Sequence, residues 1–150
     1  MQFRTRKMIA ARDLNSNGTL FGGRVLDWID EEAFIFASCQ LDSDSVVTRS
    51  MSEINFIATG RLGDVIEIGM ETAAFGRTSI TLRCEVRNRR TRETVTAVDR
   101  IVFVQVDAAG RPAPHGREAK APEPPALPES PWSGEPPDGR DGGALWPHRR

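Results

Sequence analysis

Residues 1–111 contain no proline, histidine or tyrosine, and these absences exclude several kinds of catalytic site. Both histidines, His115 and His148, follow that region, so no imidazole or phenol is expected to serve in acid–base chemistry there. A Ser-His-Asp triad, a Cys-His pair and a histidine-rich metal site are therefore not expected, and no metal ligands are assigned. Any general base in this region must be a carboxylate.

Cysteine and long apolar runs are also scarce. The two cysteines, Cys39 and Cys84, lie in apolar-patterned segments and have no framework spacing, so both are expected to be small buried hydrophobes in a reducing compartment. No apolar run reaches the roughly eighteen residues that a membrane span needs, and the N-terminus lacks the features of a signal peptide. We therefore expect a cytoplasmic protein without a membrane span. A net charge of -1 gives no reason to expect a nucleic-acid partner.

Proline divides the chain into two parts. All ten prolines lie at or beyond residue 112, in a segment with few large apolar side chains. Such a composition cannot offset the entropy lost on ordering the chain. The sequence therefore predicts one domain over residues 1–111, which should fold without the rest, and a Pro-rich, disordered tail over residues 112–150.

The apolar spacing predicts one long helix followed by a block of strands. Residues 22–39 carry an apolar stripe at helical spacing, while Ile80, Leu82, Cys84 and Val86 alternate with polar residues at the period of a strand. Further strands are predicted at residues 3–9, 46–57, 64–74 and 94–107. Short turns between the later strands favour antiparallel neighbours. This order, strand, helix and four strands, indicates an α+β fold.

The helix also carries apolar residues outside its main stripe, which consists of Val25, Leu26, Ile29, Ala33, Phe36 and Ala37. Trp28, Phe34 and Ile35 lie beyond it. A helix that is apolar on its far side is usually covered on several sides. A wrapping sheet together with a partner subunit would cover this one.

Four carboxylates cluster on the same helix. Asp30 is predicted to lie beside the apolar stripe, whereas Asp27 and Glu31 are predicted on the opposite side and Glu32 at the other edge. A carboxylate at the edge of the stripe can be partly desolvated, which makes it a stronger base. The alternative is that all four simply solvate the helix surface.

A glycine-rich turn leads into the helix. The stretch NGTLFGG places Gly22 and Gly23 at the helix start, where free backbone N–H groups could hold a developing negative oxygen. The alternative is a tight turn in which glycine is needed only for its positive φ.

Taken together, these segments resemble the hot-dog acyl-CoA thioesterases. The stretch NSNGTLFGGRVLDWIDEEA is similar to the helix entry of that family, and the resemblance continues through VVTRSMSEINFI, LGDVIEI and GRTSITLRCEVRN. It covers nearly all of residues 4–111. The resemblance implies a hot-dog fold, in which an antiparallel sheet wraps around one long central helix.

The resemblance also implies roles for particular residues. Asp30 would activate water, Asn17 would lie near it, and the backbone at Gly22 and Gly23 would polarise the thioester carbonyl of acyl-CoA. Thr48 matches an assisting polar residue on the neighbouring strand. The match further implies CoA contacts near Arg77, Thr78 and Ser79, although Arg77 could equally be a solvated turn charge. CoA would be part of the substrate, so no separate cofactor is expected.

The assembly implied by the resemblance is a homodimer, alone or within a tetramer or hexamer, with sites between subunits. Three alternatives stay open. Asp30 could attack the carbonyl directly and form an anhydride. The chain could be a non-catalytic acyl-CoA-binding module. A hot-dog dehydratase is disfavoured, since those enzymes resemble a pattern with an active-site histidine.

Overall fold

The structure, a computed structural model, describes residues 1–117; residues 118–150 of the predicted tail lie outside the described residues. Six strands and one long helix follow one another along the chain. They are β1 (Gln2–Met8), α1 (Gly22–Leu41), β2 (Val46–Met51), β3 (Asn55–Phe56), β4 (Val65–Phe75), β5 (Ser79–Asn88) and β6 (Thr94–Gln105). A short 3₁₀ turn, Ala11–Asp13, lies between β1 and α1. The predicted α+β class is confirmed.

All strands belong to one antiparallel sheet. The strands lie side by side in the order β1-β4-β5-β6-β2, and β3 also pairs with β6. The consecutive strands β4, β5 and β6 therefore form the middle of the sheet. The outer strands come from earlier in the chain. In the part of the chain that the structure describes, β2 pairs with β6 alone, which leaves its other edge open.

The core lies between α1 and one face of this sheet. In β5 the side chains of Ile80, Leu82, Cys84 and Val86 are buried and alternate with half-buried polar neighbours, which confirms the predicted period of two. These side chains pack with Ile29, Ala33 and Ala37 of α1, none of which is exposed to solvent. The helix packs on the sheet through its continuous apolar stripe.

The buried face of α1 differs in part from the predicted stripe. Trp28, predicted outside it, is buried within the core, whereas Phe36 is only partly buried. Phe34 and Ile35 stay exposed, at 39% and 48% of their surface. An apolar patch therefore remains on the outer side of the helix.

The segment predicted as one strand over residues 46–57 forms two, β2 and β3, which both pair with β6. The register between β5 and β6 shifts between Leu82 and Cys84. At this bulge Ser52 N–H donates to Arg100 O at 2.8 Å, and Arg100 N–H donates to Ser52 Oγ at 3.2 Å. These bonds close the kink between β2 and β3. Within residues 1–117, no helix is both long and apolar enough to cross a membrane.

Candidate active site

Asp30 and Thr48, eighteen residues apart, meet at the surface between α1 and β2. The Thr48 hydroxyl donates a hydrogen bond to Asp30 Oδ1 at 2.8 Å. Both residues are exposed. The helix therefore presents its carboxylate to the open strand at the sheet edge, and one oxygen of Asp30 is held while the other stays accessible.

These two residues belong to a groove of about 600 Å³. Its lining consists of Leu26, Asp27, Asp30, Glu31, Thr48, Met51 and Ile54. The apolar side chains come from both walls, and the carboxylates come from the helix. Such a mixture suits a ligand that combines an apolar chain with a reacting polar group. Met51 and Ile54 were not expected in the site from the sequence, since they lie in a segment that reads as plain strand.

Asp27 and Glu31, predicted on the side of the helix opposite the apolar stripe, are exposed and line the same groove as Asp30. Asp30 differs from these two carboxylates in the group that contacts it. Asp27 pairs with Arg24 at 3.2 Å, and Glu31 pairs with Lys7 at 3.3 Å. Among residues 1–117 no cation lies within ion-pair distance of Asp30, whose partner is the Thr48 hydroxyl. Of these three carboxylates, Asp30 alone can accept a proton without breaking an ion pair.

The turn before the helix is organised by Asn15 and not by Asn17. Asn15 Oδ1 accepts hydrogen bonds from the backbone N–H groups of Asn17 at 2.9 Å and Thr19 at 3.2 Å, and Asn15 Nδ2 donates to Thr19 Oγ1. Gly18 adopts a φ of 72°, which favours glycine. Asn17 is exposed at the tip of the turn. Within one chain, the Asn17 side chain therefore makes no hydrogen bond with Asp30.

In the first turn of α1, two backbone N–H groups have no acceptor among the described residues, and two aromatic rings lie close to the backbone. Arg24 N–H and Val25 N–H donate to Phe21 O, whereas the N–H groups of Gly22 and Gly23 find no acceptor within residues 1–117. A Cβ atom at Gly23 would come within 2.5 Å of the Phe21 ring. At Gly22 it would come within 3.2 Å of the Phe56 ring. The small residues therefore let aromatic rings approach the helix start closely.

An ion pair between a buried carboxylate and a partly exposed arginine holds this helix start. The Asp13 carboxylate is buried; its Oδ2 accepts the Ala10 N–H at 2.9 Å and its Oδ1 lies 3.0 Å from Arg24 Nε. Asp13 O also accepts the Phe21 N–H at 2.8 Å. Asp13 thus joins the loop to the first helical turn. The sequence gives no sign of this pair, because a contact across an irregular loop has no periodic pattern.

The predicted CoA-contacting segment lies away from Asp30 within one chain. Arg77 and Thr78 form the turn between β4 and β5, and Ser79 begins β5. Ser79 pairs with Val104 of β6, which pairs in turn with Val47 of β2. Two strand spacings, about 10 Å, therefore separate Ser79 from the residue beside Thr48. A single chain brings Asp30 and Thr48 together but does not bring residues 77–79 to them.

Residues 112–117, predicted as the start of the tail, form a strap along this turn. Ala113 N–H donates to Gln105 O at 2.9 Å, and His115 N–H donates to Arg77 O at 3.3 Å. The His115 Nε2 atom lies 3.1 Å from Ser79 O. The expectation that the folded part lacks an imidazole is therefore wrong for this edge. His115 holds the backbone of residues 77–79.

The cysteines differ in environment. Cys84 is buried in the core, as predicted, and burial together with the nearby carboxylates of Glu32 and Glu85 raises the pKa of its thiol to about 12. A thiol of this kind is no nucleophile at neutral pH. Cys39 is exposed on α1, so its predicted burial is wrong. The described residues contain no group of three or more His, Cys, Asp or Glu that could hold a metal ion.

Known proteins are similar to this chain in sequence and in fold. The family model of the thioesterase superfamily matches residues 17–95. An uncharacterized acyl-CoA thioester hydrolase of Buchnera aphidicola is 32% identical over 120 residues, which cover 75% of this chain and 85% of that protein.

Two solved structures agree in fold. A hexameric broad-specificity acyl-coenzyme A thioesterase, in a mutant form, has a TM-score of 0.71 at 28% identity and covers 78% of this chain and 88% of its own. The hexameric thioesterase of Yersinia pestis has a TM-score of 0.69 at 28% identity and covers 75% of this chain and 93% of its own. These similarities confirm the predicted hot-dog fold.

Proposed function

Because the chain belongs to the thioesterase superfamily, we propose that it is an acyl-CoA thioesterase, which hydrolyses acyl-CoA to a carboxylic acid and free CoA. The observation that carries the proposal is the pair formed by Asp30 and Thr48 in the groove beside β2. Asp30 lacks a cationic partner among the described residues, so its carboxylate is available as a base. No cofactor is required, since CoA is part of the substrate.

In the proposed reaction a water molecule attacks the thioester carbonyl. The oxygen of Asp30 that Thr48 does not occupy takes a proton from this water, and the new C–O bond forms as negative charge moves to the carbonyl oxygen. Backbone N–H groups at Gly22 and Gly23 hold that oxygen. The C–S bond then breaks, and the sulfur of CoA leaves with the proton that Asp30 had taken.

A complete site of this kind requires a second subunit. Asp30 lies two helical turns beyond Gly23, roughly 10 Å along the axis, and its carboxylate is turned towards Thr48. One helix therefore does not readily bring both groups to one carbonyl. The open edge of β2 and the exposed side chains of Val47 and Ile35 offer a surface for a partner chain. We therefore expect an obligate homodimer as the smallest active unit, within a larger assembly such as the hexamers of the related thioesterases.

Arg77 is proposed to bind the nucleotide end of CoA. It is exposed at the turn before Ser79, and a guanidinium can hold phosphate oxygens in a fork. Arg77→Ala should raise KM for acyl-CoA several-fold and leave hydrolysis of a short thioester without the nucleotide unchanged. Arg61→Ala, at another exposed turn, is the matched control. Equal effects of Arg77→Ala on both substrates would contradict this role.

The function itself is tested with a panel of short, long and aryl CoA esters. Loss of the thioester absorbance should accompany the formation of free CoA, measured by mass spectrometry so that the exposed Cys39 does not interfere with a thiol reagent. Binding without hydrolysis of any ester would instead favour an acyl-CoA-binding module. Oxygen-18 labelling in a single turnover separates the two mechanisms, because only an anhydride with Asp30 places solvent oxygen into the enzyme.

A further inference from the structure

A buried carboxylate on the outer face of the sheet is surrounded by arginines. Glu67 of β4 has only 4% of its side chain exposed. Its Oε1 accepts Arg6 Nε at 3.1 Å, and its Oε2 accepts Arg87 Nε and Nη2 and Arg92 Nη1, each at 3.1 Å. Arg89 Nε lies 4.0 Å from Oε1. We call Arg6, Arg87, Arg89 and Arg92 the arginine cluster.

Within residues 1–117, Glu67 is the one carboxylate that lies within ion-pair distance of these four arginines. Burial alone would raise the pKa of Glu67, but hydrogen bonds from Arg87 and Arg6 and the charges of Arg87 and Arg92 outweigh it, so the pKa is lowered. Glu67 is therefore ionised at neutral pH. Four guanidinium charges thus face one carboxylate. The adjacent Arg90 forms an ion pair with Asp64 at 3.7 Å and is therefore not counted with the arginine cluster.

The backbone holds these arginines in place. Arg92 has a φ of 65°, a left-handed conformation that a long side chain rarely adopts. The hairpin imposes it, because Asn88 Oδ1 accepts the N–H groups of Arg90 and Thr91, and Asn88 O accepts that of Arg92. Arg87, in addition, lies 3.4 Å from the centre of the Phe3 ring.

The cluster keeps unused donors that face solvent. Arg6 meets Glu67 through Nε and Arg92 meets it through a single Nη atom, while 57% and 64% of their side chains are exposed. Arg89, at 59% exposure, makes only the longer contact. Glu67 thus acts as a positioning residue, because its buried carboxylate holds the guanidinium groups beside one another. The side chains of Arg6, Arg89 and Arg92 remain more than half exposed to solvent.

We propose that the arginine cluster is a binding site for a phosphate or polyphosphate group of a small molecule. Forked, fixed guanidinium groups match phosphate oxygens, and an anion there would relieve the repulsion between like charges. A small ligand is favoured over a nucleic acid, because the positive charge is compact and the chain as a whole carries a net charge of -1. Ser79 and Arg87 lie at opposite ends of β5, roughly 25 Å apart, so this site is distinct from the one proposed at Arg77.

The test is calorimetric titration of the full-length protein with inorganic phosphate and with pyrophosphate at constant ionic strength. Pyrophosphate should bind with a Kd of roughly 1 mM or tighter. The double variant Arg89→Ser, Arg92→Asn keeps Glu67, Arg6 and Arg87 and should bind it at least about tenfold more weakly. Asparagine is chosen at position 92 because it tolerates the left-handed backbone.

The matched control is Arg61→Ser, Arg100→Ser, which removes two exposed arginines outside the cluster and should leave pyrophosphate affinity unchanged. Competition separates the sources of phosphate: displacement by CoA but not by dephospho-CoA would identify the 3′-phosphate of CoA, whereas displacement by neither would identify a free polyphosphate. If the unmodified protein does not bind pyrophosphate, or if both double variants weaken binding equally, the proposal is wrong and the arginines serve only Glu67.

Discussion

Replacing Asp30 by asparagine should separate catalysis from folding. Asparagine keeps the size of the side chain, and its amide oxygen can still accept the hydrogen bond from Thr48, which is 2.8 Å long in the structure. No ion pair is lost, because Asp30 lacks a cationic neighbour within residues 1–117. What disappears is the ability to take a proton from water.

The size of each effect follows from these contacts. Loss of a general base typically lowers kcat by roughly 10² to 10⁴, or about 3 to 5 kcal/mol of transition-state stabilisation. Asp30 is exposed, and weakening one hydrogen bond to a hydroxyl should change the free energy of unfolding by about 1 kcal/mol at most. The loss in activity should therefore be far larger than any loss in stability. KM should change little, since the base acts in the transition state.

The assay is steady-state hydrolysis of one acyl-CoA, measured with thermal unfolding and sedimentation on the same samples. Asp27→Asn and Glu31→Gln are matched controls, because these carboxylates line the same groove but are paired with Arg24 and Lys7. Both controls should keep most of the activity. If Asp30→Asn stayed near full activity while Asp27→Asn abolished it, the groove would still be the site but the base would be misassigned.

Three other outcomes are expected. A maleimide should label Cys84 only after unfolding, because this thiol is buried in the core, so labelling of Cys84 in the native protein would contradict the burial. Because the pKa of Glu67 is lowered on folding, its contribution to stability is complete above the ordinary value of 4.5 and is lost as the pH falls through the folded value. In urea unfolding at a series of acidic pH values, the free energy of unfolding of Glu67→Gln should therefore fall less steeply with decreasing pH than that of the unmodified protein. An equal pH dependence of the two would refute this. A chain ending after Arg117 should have the same KM for acyl-CoA as the full-length protein. A chain ending after Arg111 lacks the strap that holds residues 77–79 and should have a several-fold higher KM. Equal KM values for the two shortened chains would mean that the strap is dispensable.

The parts of the fold that were predictable are those in which burial has a simple period. In β5, Ile80 and Leu82 face the core at every second position, and in α1 the residues from Val25 to Ala37 recur at helical spacing. The order of strands in the sheet has no such period. The bulge in β6 and the break at Ser52 also depend on contacts between distant residues, so they were visible only in the structure.

The candidate site was predictable to a similar degree. The resemblance named Asp30 and Thr48, and the structure places them in contact, while their catalytic roles stay predictions. Helix geometry alone did not show that Asp27 lines the same groove as Asp30, because a helical wheel ignores which neighbouring segments form the groove. The resemblance named Asn17, whereas Asn15 organises the turn, because its side chain accepts the hydrogen bonds that close the turn.

The strand order also bears on how the chain reaches its native state. The bonds from Arg87 and Arg6 to Glu67 span 20 and 61 residues of sequence. Closing the longer loop costs more entropy, so the meander of β4, β5 and β6 should form early, and β1 and β2 should dock on its two sides later. Until they dock, both edges of the meander are open to other chains. Slow closure of the sheet is then the step at which this protein is most exposed to aggregation.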